Sequence, residues 1–290
     1  MKILVTGSTG QLSGKIRELS GTIDELKFIF ASKDKLDITN TSELEKFFSR
    51  EKIDILINCA AYTNVDGAES NYQQANKVNN LAVKEISGLS EIYDFIFVHI
   101  STDYVFDGSK NKPYKEKDKT NPIGAYGKSK LDGEVSIMEN NCRSIIIRTS
   151  WLYSNLGSNF VKTIINLAQE KESIEVVDDQ LGSPTSGKDL SQAIIHMIKS
   201  NMFKEASLNK EIFHFCNSGV CSWYELAKEI IKIKKLDCKI IPCKSTEFKT
   251  VAKRPFYSAL NNEKFSSSFS FEIKKWQAAL ELSLQETNLN

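Results

Sequence analysis

Three residues of this chain have the types and spacing that proton transfer requires: Tyr126, Lys130 and Thr102. Tyr126 and Lys130 are four positions apart, so on a helix their side chains share a face. A phenol has an ordinary pKa near ~10, and a neighbouring ammonium group lowers this pKa because it stabilises the phenolate. The spacing therefore predicts that Tyr126 exchanges a proton with a carbonyl or alcohol oxygen, to which Thr102 also hydrogen-bonds. A surface tyrosine beside a solvated lysine is the alternative that spacing alone leaves open.

The start of the chain favours a nucleotide near these residues. Residues 2–5 are predicted to form a strand, and a turn with Gly7 and Gly10 separates it from a helix with Leu12 and Ile16 inward. Glycines let the backbone approach a pyrophosphate, and the helix N-terminus supplies amide donors. Two glycines in this spacing occur in many loops, but their place in the first strand, turn and helix is typical of dinucleotide binding.

The remaining pattern predicts an α/β protein. Apolar strands alternate with helices through Arg148, which indicates a Rossmann-type, doubly wound parallel sheet with helices on both faces. After Arg148 strands and helices no longer alternate regularly, and a smaller C-terminal α/β substrate-binding domain is expected. We therefore predict a dinucleotide-binding domain over 1–150, with a return of the chain over about 186–216. The substrate domain is predicted to comprise 151–185 and 217–290.

Local patterns give further expectations. Ser42 and Glu45 have the spacing of a capping box that opens a helix, as do Ser222 and Glu225. Two longer helices are expected to bury one face each. In a helix over 72–92 these residues are Val78, Leu81, Ile86 and Leu89, and in the C-terminal helix they are Ile273, Trp276, Leu280 and Leu282.

The end of the second predicted strand bears on cofactor choice. An acid there favours NAD, whereas a basic residue favours the 2′-phosphate of NADP. Ser32 and Lys33 point to NADP and Asp34 points to NAD, so both remain candidates. Asp37 is expected either to contact the adenine or to serve as a turn residue.

Composition excludes several classes of function. The net charge is +1, which gives no reason to expect nucleic acid or an acidic membrane as a partner. No apolar run approaches the ~18 residues of a membrane span, and the apolar part of Met1–Gly7 is too short for a signal peptide, so we expect a cytoplasmic protein. The six cysteines and three histidines lack metal-ligand spacing, and no metal site is predicted.

Longer runs resemble the extended short-chain dehydrogenase/reductases and, among them, the dTDP-4-dehydrorhamnose reductase family. The resemblance covers nearly the whole chain. Its most specific runs are Ser-Thr-Asp-Tyr-Val-Phe at 101–106 and Asp-Gln-Leu-Gly-Ser-Pro-Thr at 179–185. It implies reduction of the C4 ketone of dTDP-4-dehydro-L-rhamnose to dTDP-L-rhamnose, with hydride from NADPH or NADH and a proton from Tyr126.

The resemblance also implies the residues of the site. Thr102, Tyr126 and Lys130 would be catalytic. Cofactor contacts would come from Gly7, Gly10, Gln11, Leu12, Asp37, Ile38, Ala61, Tyr62, Thr63, Tyr126 and Lys130. The dTDP-sugar would touch Thr102, Asp103 and Trp151. Arg254 is a further candidate for a nucleotide phosphate, since guanidinium suits phosphate geometry.

Two features depart from the family pattern, and several questions stay open. Ser13 stands where a third glycine is usual, and Cys59 replaces a usual alanine. Alternative functions are a reductase or epimerase of another deoxysugar, such as one that forms dTDP-6-deoxy-L-talose, and a non-catalytic NADP-binding regulatory subunit. The residue types do not settle the oligomeric state, and a homodimer is one arrangement that they leave open.

Overall fold

A parallel sheet forms the centre of the computed structural model, which describes residues 1–204 and 209–286. The strands of this described part are β1 (Lys2–Thr6), β2 (Lys27–Ala31), β3 (Ile55–Asn58), β4 (Ile96–Thr102), β5 (Ser144–Thr149), β6 (Leu152–Tyr153), β7 (Ser173–Val177), β8 (Leu181–Gly182), β9 (Thr185–Ser186), β10 (Glu211–His214), β11 (Cys221–Ser222) and β12 (Lys239–Cys243).

Helices lie between these strands. They are α1 (Gln11–Ser20), α2 (Thr41–Arg50), α3 (Val65–Ser70), α4 (Tyr72–Asn76), α5 (Ala82–Tyr93), α6 (Ala125–Glu139), α7 (Phe160–Glu170), α8 (Gly187–Lys199), α9 (Asn201–Lys204), α10 (Trp223–Lys234), α11 (Glu263–Phe269) and α12 (Trp276–Glu286). A π-helical turn (Lys77–Leu81) joins α4 to α5, and a 3₁₀ turn (Asp103–Val105) follows β4.

The six strands of the central sheet within the described residues run in the order β10-β5-β4-β3-β1-β2, and every neighbouring pair is parallel. The predicted α/β fold with a doubly wound parallel sheet is confirmed. Two apolar clusters cover its faces, one centred on α1 and α8 and the other on α2 and α5. From β1 the chain goes to β2 on one side, and from β2 it crosses back to β3 on the other side of β1. Ligands of open α/β sheets bind at such a reversal, outside the carboxyl ends of the strands.

A separate apolar cluster lies beyond the sheet. It joins α7, α10 and α12 to three two-stranded sheets, formed by β6 with β9, β7 with β12, and β8 with β11. Trp276, Leu280 and Leu284 of α12 are buried there because they follow each other at four-residue intervals on one face. The inward assignment of Leu282 is wrong, since it lies off this face and is 46% exposed.

Two other local predictions are wrong for identifiable reasons. The helix that Ser42 was expected to open begins earlier, because the side chain of Asn40 accepts a hydrogen bond from the Glu43 amide. Leu81 was expected inside, yet it is 50% exposed. The π-helical turn holds more residues per turn than an α-helix and rotates the face, so Asn79 is buried in its place. The capping box of Ser222 and Glu225 is present as predicted.

Candidate active site

A cavity of about 860 Å³ opens where the carboxyl ends of β1, β3, β4 and β5 meet. Its far wall comes from the segment before α7 and from the start of α10. All the residues that the resemblance implied for catalysis, cofactor or sugar line this cavity: Gly7, Gly10, Gln11, Leu12, Asp37, Ile38, Ala61, Tyr62, Thr63, Thr102, Asp103, Tyr126, Lys130 and Trp151.

The turn after β1 forms a cradle of bare backbone. Gly7 has a φ of +64°, and a β-carbon on it would lie 2.6 Å from the Ala60 amide nitrogen. Gly10 precedes α1 without a side-chain cap, and the first turn of α1 carries no acid. Unpaired amides at a helix N-terminus attract anions. The cradle therefore fits a diphosphate.

Ser13 performs the packing role expected of a third glycine in this turn. It is fully buried, and its hydroxyl donates to the carbonyls of Gly7 at 2.7 Å and Gly10 at 3.0 Å. The serine is small enough for the helix to stay close to the strand, and its hydrogen bonds hold the turn in shape. The departure from the usual glycine thus leaves the cradle intact.

Gln11 connects the cradle to the opposite wall. Its side-chain oxygen accepts hydrogen bonds from Asn159 Nδ2 at 2.8 Å and from Ser154 Oγ at 3.1 Å. Asn159 is also the N-cap of α7 and accepts from the Lys162 amide. These contacts fix the first helix of the sheet relative to the segment that carries the far wall of the cavity.

Lys33 and Asp37 line the end of the cavity beyond β2. Asp37 Oδ1 accepts from the Thr39 amide and hydroxyl, both at 2.9 Å, and Lys33 Nζ lies 4.0 Å from Asp37 Oδ2. Burial tends to raise the pKa of Asp37, but the Thr39 hydrogen bonds and the Lys33 charge outweigh it and hold the pKa below its ordinary value. Asp37 is thus an ionised turn residue, and the exposed Lys33 places a cation beside it.

Asn79 of the π-helical turn supports the loop after β3. Its side-chain oxygen accepts from the Tyr62 amide at 2.8 Å, and its amide nitrogen donates to the Tyr62 carbonyl at 3.0 Å. The same nitrogen donates to Ser129 on α6 at 3.0 Å. One buried side chain therefore positions the loop of Ala61 and Thr63 against the helix that carries Tyr126.

Thr102 and Asp103 end β4 beside Tyr126. Thr102 Oγ1 donates to Asp103 Oδ1 at 3.0 Å. Burial raises the pKa of Asp103 to about 7, against the opposing effect of the Ser258 and Thr102 hydroxyls. Desolvation of the Tyr126 hydroxyl raises its pKa to about 12, while its hydrogen bond with Thr102 lowers the pKa and the nearby Asp103 raises it. The cluster keeps Tyr126 protonated and able to donate.

Lys130 lies deeper than the sequence suggested. It is 1% exposed, and Nζ is 2.7 Å from the Ile100 carbonyl and 3.0 Å from His99 Nε2. Burial lowers the pKa of Lys130 to about 8, although the charge of Glu134 opposes this. The expectation that Lys130 lowers the pKa of Tyr126 is wrong for this structure, because desolvation dominates at the phenol and Lys130 faces β4.

Two indole rings face each other on the far wall. Trp151 and Trp223 stack at 3.4 Å between ring centroids with 6° between planes, and Phe160 lies 4.5 Å from Trp223. Trp151 has a φ of +47°, a strained conformation for a residue with a side chain. Gly182 makes room for it, since a β-carbon there would lie 2.4 Å from the indole. Both indoles line the cavity, and a stack this close leaves no room for a ligand between the two rings.

Known proteins of one family match this chain over nearly its whole length. The family described as RmlD substrate binding domain matches residues 1–289. The dTDP-4-dehydrorhamnose reductase of Burkholderia thailandensis is 32% identical over 296 residues, which cover 99% of each chain. This chain belongs to the RmlD family. The spore coat polysaccharide biosynthesis protein SpsK of Bacillus subtilis is 37% identical and covers 98% of this chain, 97% of SpsK being matched.

Solved RmlD-family structures share the fold closely. The dTDP-4-dehydrorhamnose reductase of Clostridium acetobutylicum has a TM-score of 0.91 at 39% identity, and 99% of each chain is covered. The Bacillus anthracis enzyme, solved in complex with NADP, has a TM-score of 0.92 at 36% identity with the same coverage. A dTDP-glucose 4,6-dehydratase from Streptomyces venezuelae, at 13% identity and a TM-score of 0.79, shares the fold alone.

Several cavity residues of this RmlD-family chain were missed by reasoning from its sequence. Trp223, Leu226 and Phe160 line the far wall. Trp223 lies inside the capping box, between Ser222 and Glu225, which looked like an ordinary helix start. Arg254 does not line the cavity, and its guanidinium pairs with Asp66 at 3.1 Å.

The described residues, 1–204 and 209–286, contain neither a metal-binding cluster nor a membrane-spanning helix. No group of three or more His, Cys, Asp or Glu in this part is arranged to hold a metal ion. None of the helices described is long and apolar enough to cross a membrane.

Proposed function

We propose that this RmlD-family chain is an NAD(P)H-dependent reductase that converts dTDP-4-dehydro-L-rhamnose to dTDP-L-rhamnose. The observation that carries the proposal is the single cavity in which a diphosphate cradle at Gly7 and Gly10 meets Thr102, Tyr126 and Lys130. The substrate is inferred from the RmlD relatives that are named dTDP-4-dehydrorhamnose reductase. The neighbour solved with NADP supports the cofactor.

The chemistry divides between the cofactor and the chain. When bound, NADPH or NADH supplies a hydride to C4 of the sugar. Tyr126 donates its proton to the C4 oxygen, and Thr102 holds that oxygen by a hydrogen bond, so the ketone becomes an alcohol. Gly7, Gly10, Gln11 and Leu12 hold the diphosphate, while Asp37 and Ile38 lie beside the adenosine and Ala61, Tyr62 and Thr63 beside the rest of the cofactor.

The proposal extends to the organisation of the molecule. Residues 1–150, with the return over 186–216, bind the cofactor, and residues 151–185 and 217–290 hold the sugar nucleotide. Asp103 and Trp151 contact the sugar. We propose that the enzyme works in the cytoplasm on a dTDP-sugar, and a homodimer stays a prediction.

A related reductase gives one specific alternative. The dTDP-4-keto-6-deoxy-D-glucose reductase of Streptomyces niveus is 32% identical over 279 residues, covering 96% of this chain and 94% of that protein. The face from which hydride reaches C4 depends on how the sugar sits, and residue types do not determine that orientation. A reductase of another deoxysugar is therefore the second candidate.

Cofactor oxidation tests the proposal directly. Purified protein is mixed with dTDP-4-dehydro-L-rhamnose and either NADPH or NADH, and absorbance at 340 nm is followed. Loss of absorbance with wild type, reduced about 10²- to 10⁴-fold in Tyr126→Phe, supports the reductase, and NMR of the product gives the C4 configuration. The matched control is Tyr93→Phe, which removes a hydroxyl outside the cavity. No oxidation from protein that binds the cofactor contradicts the substrate assignment.

A further inference from the structure

A buried histidine lies behind the cavity and contacts Lys130. His99 of β4 is 0% exposed, and its Nε2 is 3.0 Å from Lys130 Nζ. Its other ring nitrogen, Nδ1, is 3.2 Å from Nδ2 of Asn58, the residue opposite it on β3. None of the roles assigned above uses His99.

The partners of Asn58 determine which way its amide points. Asn58 Oδ1 accepts from the Thr6 hydroxyl at 2.6 Å and from the Ala60 amide at 3.2 Å. The amide nitrogen of Asn58 must therefore face His99, and because that nitrogen is only a donor, Nδ1 of His99 must accept. A neutral imidazole carries one N–H, so the proton of His99 lies on Nε2.

This assignment has a consequence for Lys130. The N–H at Nε2 of His99 points at Lys130 Nζ and needs a lone pair there. An ammonium group has three donors and no lone pair, whereas an uncharged amine has one. The Ile100 carbonyl accepts one N–H of Lys130 at 2.7 Å, which suits either form. The hydrogen-bond chain from Thr6 to Lys130 is thus fully satisfied when Lys130 is uncharged.

We propose that His99 is a positioning residue which, held in its Nε2–H tautomer by Asn58, donates to the Lys130 amine and sets the pH at which Lys130 gains its charge. To charge Lys130, the proton of His99 must move to Nδ1 and the Asn58 amide must turn over. The turned amide would leave the Ala60 N–H facing an NH₂ group. Ala60 is the residue that packs on Gly7, so the charge of Lys130 is coupled to the cradle.

Other titratable groups act on Lys130 in known directions. Glu134, one turn further along α6, favours the charged amine, as does any thiolate at Cys59. Glu134 forms an ion pair with Arg148 at 2.6 Å and accepts a hydrogen bond from the Ser101 hydroxyl. Burial raises the pKa of Cys59 to about 12 and so keeps its thiol protonated. Tyr126 lies one turn before Lys130 and is protonated. Burial keeps the pKa of His99 well below its ordinary value, and Lys130 lowers it further whenever it carries its charge.

The inference rests on the proposed reductase for its purpose, but not for its test. A group that handles protons works best when its pKa is near the operating pH. By stabilising the uncharged amine, His99 brings the pKa of Lys130 towards the operating pH. Lys130 can then change its charge when the charges of the cofactor and of Tyr126 change.

Histidine NMR tests the assignment without substrate or cofactor. The chain has three histidines, so ¹⁵N-histidine labelling gives three rings, and His99→Gln identifies the signals of His99. We expect a protonated Nε2 and an unprotonated Nδ1 at alkaline pH. As Lys130 gains its proton near pH 8, the ring proton should move to Nδ1. This switch should vanish in Lys130→Met. A proton on Nδ1 at every pH, or a switch that persists in Lys130→Met, overturns the proposal.

Kinetics supply a second readout. In Asn58→Asp a carboxylate replaces the amide donor, forces the His99 proton to Nδ1 and offers the Nε2 lone pair to an ammonium. We expect cofactor oxidation to fall at alkaline pH as Lys130 loses its charge, and the midpoint of this alkaline limb should rise by about 1 unit in Asn58→Asp. His99→Gln should shift it the same way if Asn58→Asp fails to fold, and His214→Gln is the control. An unmoved limb in both variants overturns the proposal. Wild type without activity but with the expected tautomer switch contradicts only the proposed function.

Discussion

Gly7 and Ala60 pack backbone against backbone at the reversal of the sheet, and a β-carbon on Gly7 would lie 2.6 Å from the Ala60 nitrogen. We predict that Gly7→Ala weakens NADPH binding by at least about 10-fold, because the residue must also hold a φ of +64° that costs roughly 1–2 kcal/mol with a side chain. Fluorescence titration with NADPH measures this. Gly21→Ala is the control, since nothing lies within 4 Å of its new β-carbon. Equal affinity in a folded Gly7→Ala protein would contradict the cradle.

Asp103 should impose a pH dependence on Tyr126. The pKa of Asp103 is raised to about 7, so its carboxyl ionises as the pH rises through this value. The new negative charge raises the pKa of Tyr126 and makes it a weaker acid. We predict that the rate of ketone reduction falls roughly 3- to 10-fold as the pH rises through about 7, and that Asp103→Asn removes this fall but keeps the further fall that Lys130 sets near pH 8. The measurement is kcat against pH. A fall of the same size in the variant would assign it to another group.

Lys33 should contribute to cofactor choice. Its ammonium is exposed, lines the adenosine end of the cavity and lies 4.0 Å from Asp37. An exposed cation attracts a 2′-phosphate by a modest amount, so Lys33→Gln should weaken NADPH about 2- to 5-fold and leave NADH unchanged. Dissociation constants for both cofactors measure this. Lys35→Gln, nearby but outside the cavity, is the control. A parallel loss for NADPH and NADH would mean that Lys33 does not sense the phosphate.

Buried histidines should make the fold sensitive to acid. Burial, with the charge of Arg148, lowers the pKa of His214 to about 3. Between pH ~6.5 and about 3 the unfolded chain binds a proton that the folded chain does not, so stability falls as the pH falls, with a slope of about 1.4 kcal/mol per pH unit. Asp103, with its raised pKa, contributes the opposite slope between its ordinary pKa and about 7. Urea unfolding of wild type and His214→Gln from pH 4 to 7 should show a shallower decline in the variant.

Much of the fold could be predicted from the sequence because its signals are local and strong. The strand and glycine turn at Gly7, the strand that ends at Thr102 and the helix of Tyr126 each carry their own pattern, and the sheet brings their ends together. The resemblance supplied Asp37 and Trp151, which periodicity could not single out.

The remainder depends on contacts between distant residues. Trp223 lines the cavity because α10 packs on α7. No local sequence pattern predicts this contact between two distant helices. The pKa of Tyr126 was misjudged because a shared helix face says nothing of depth, and Lys130 turns to His99 instead. Leu282 and Leu81 were predicted to be buried because a regular helical spacing was assumed. In the structure the buried face of each helix lies at other positions.

The π-helical turn of Lys77–Leu81 has a consequence for how this chain tolerates insertions and deletions. Asn79 faces α6 because the π-helical turn holds more residues than a turn of α-helix. Gly133 of α6 lies so close to this turn that a β-carbon on it would be 2.1 Å from the Asn79 carbonyl oxygen. Each residue of a regular helix advances by ~100°. Loss of one residue here would therefore give a smoother, more regular helix, yet it would swing Asn79 away and release the loop of Tyr62. A one-residue deletion in this turn should therefore loosen the loop after β3, even though Leu81 is exposed.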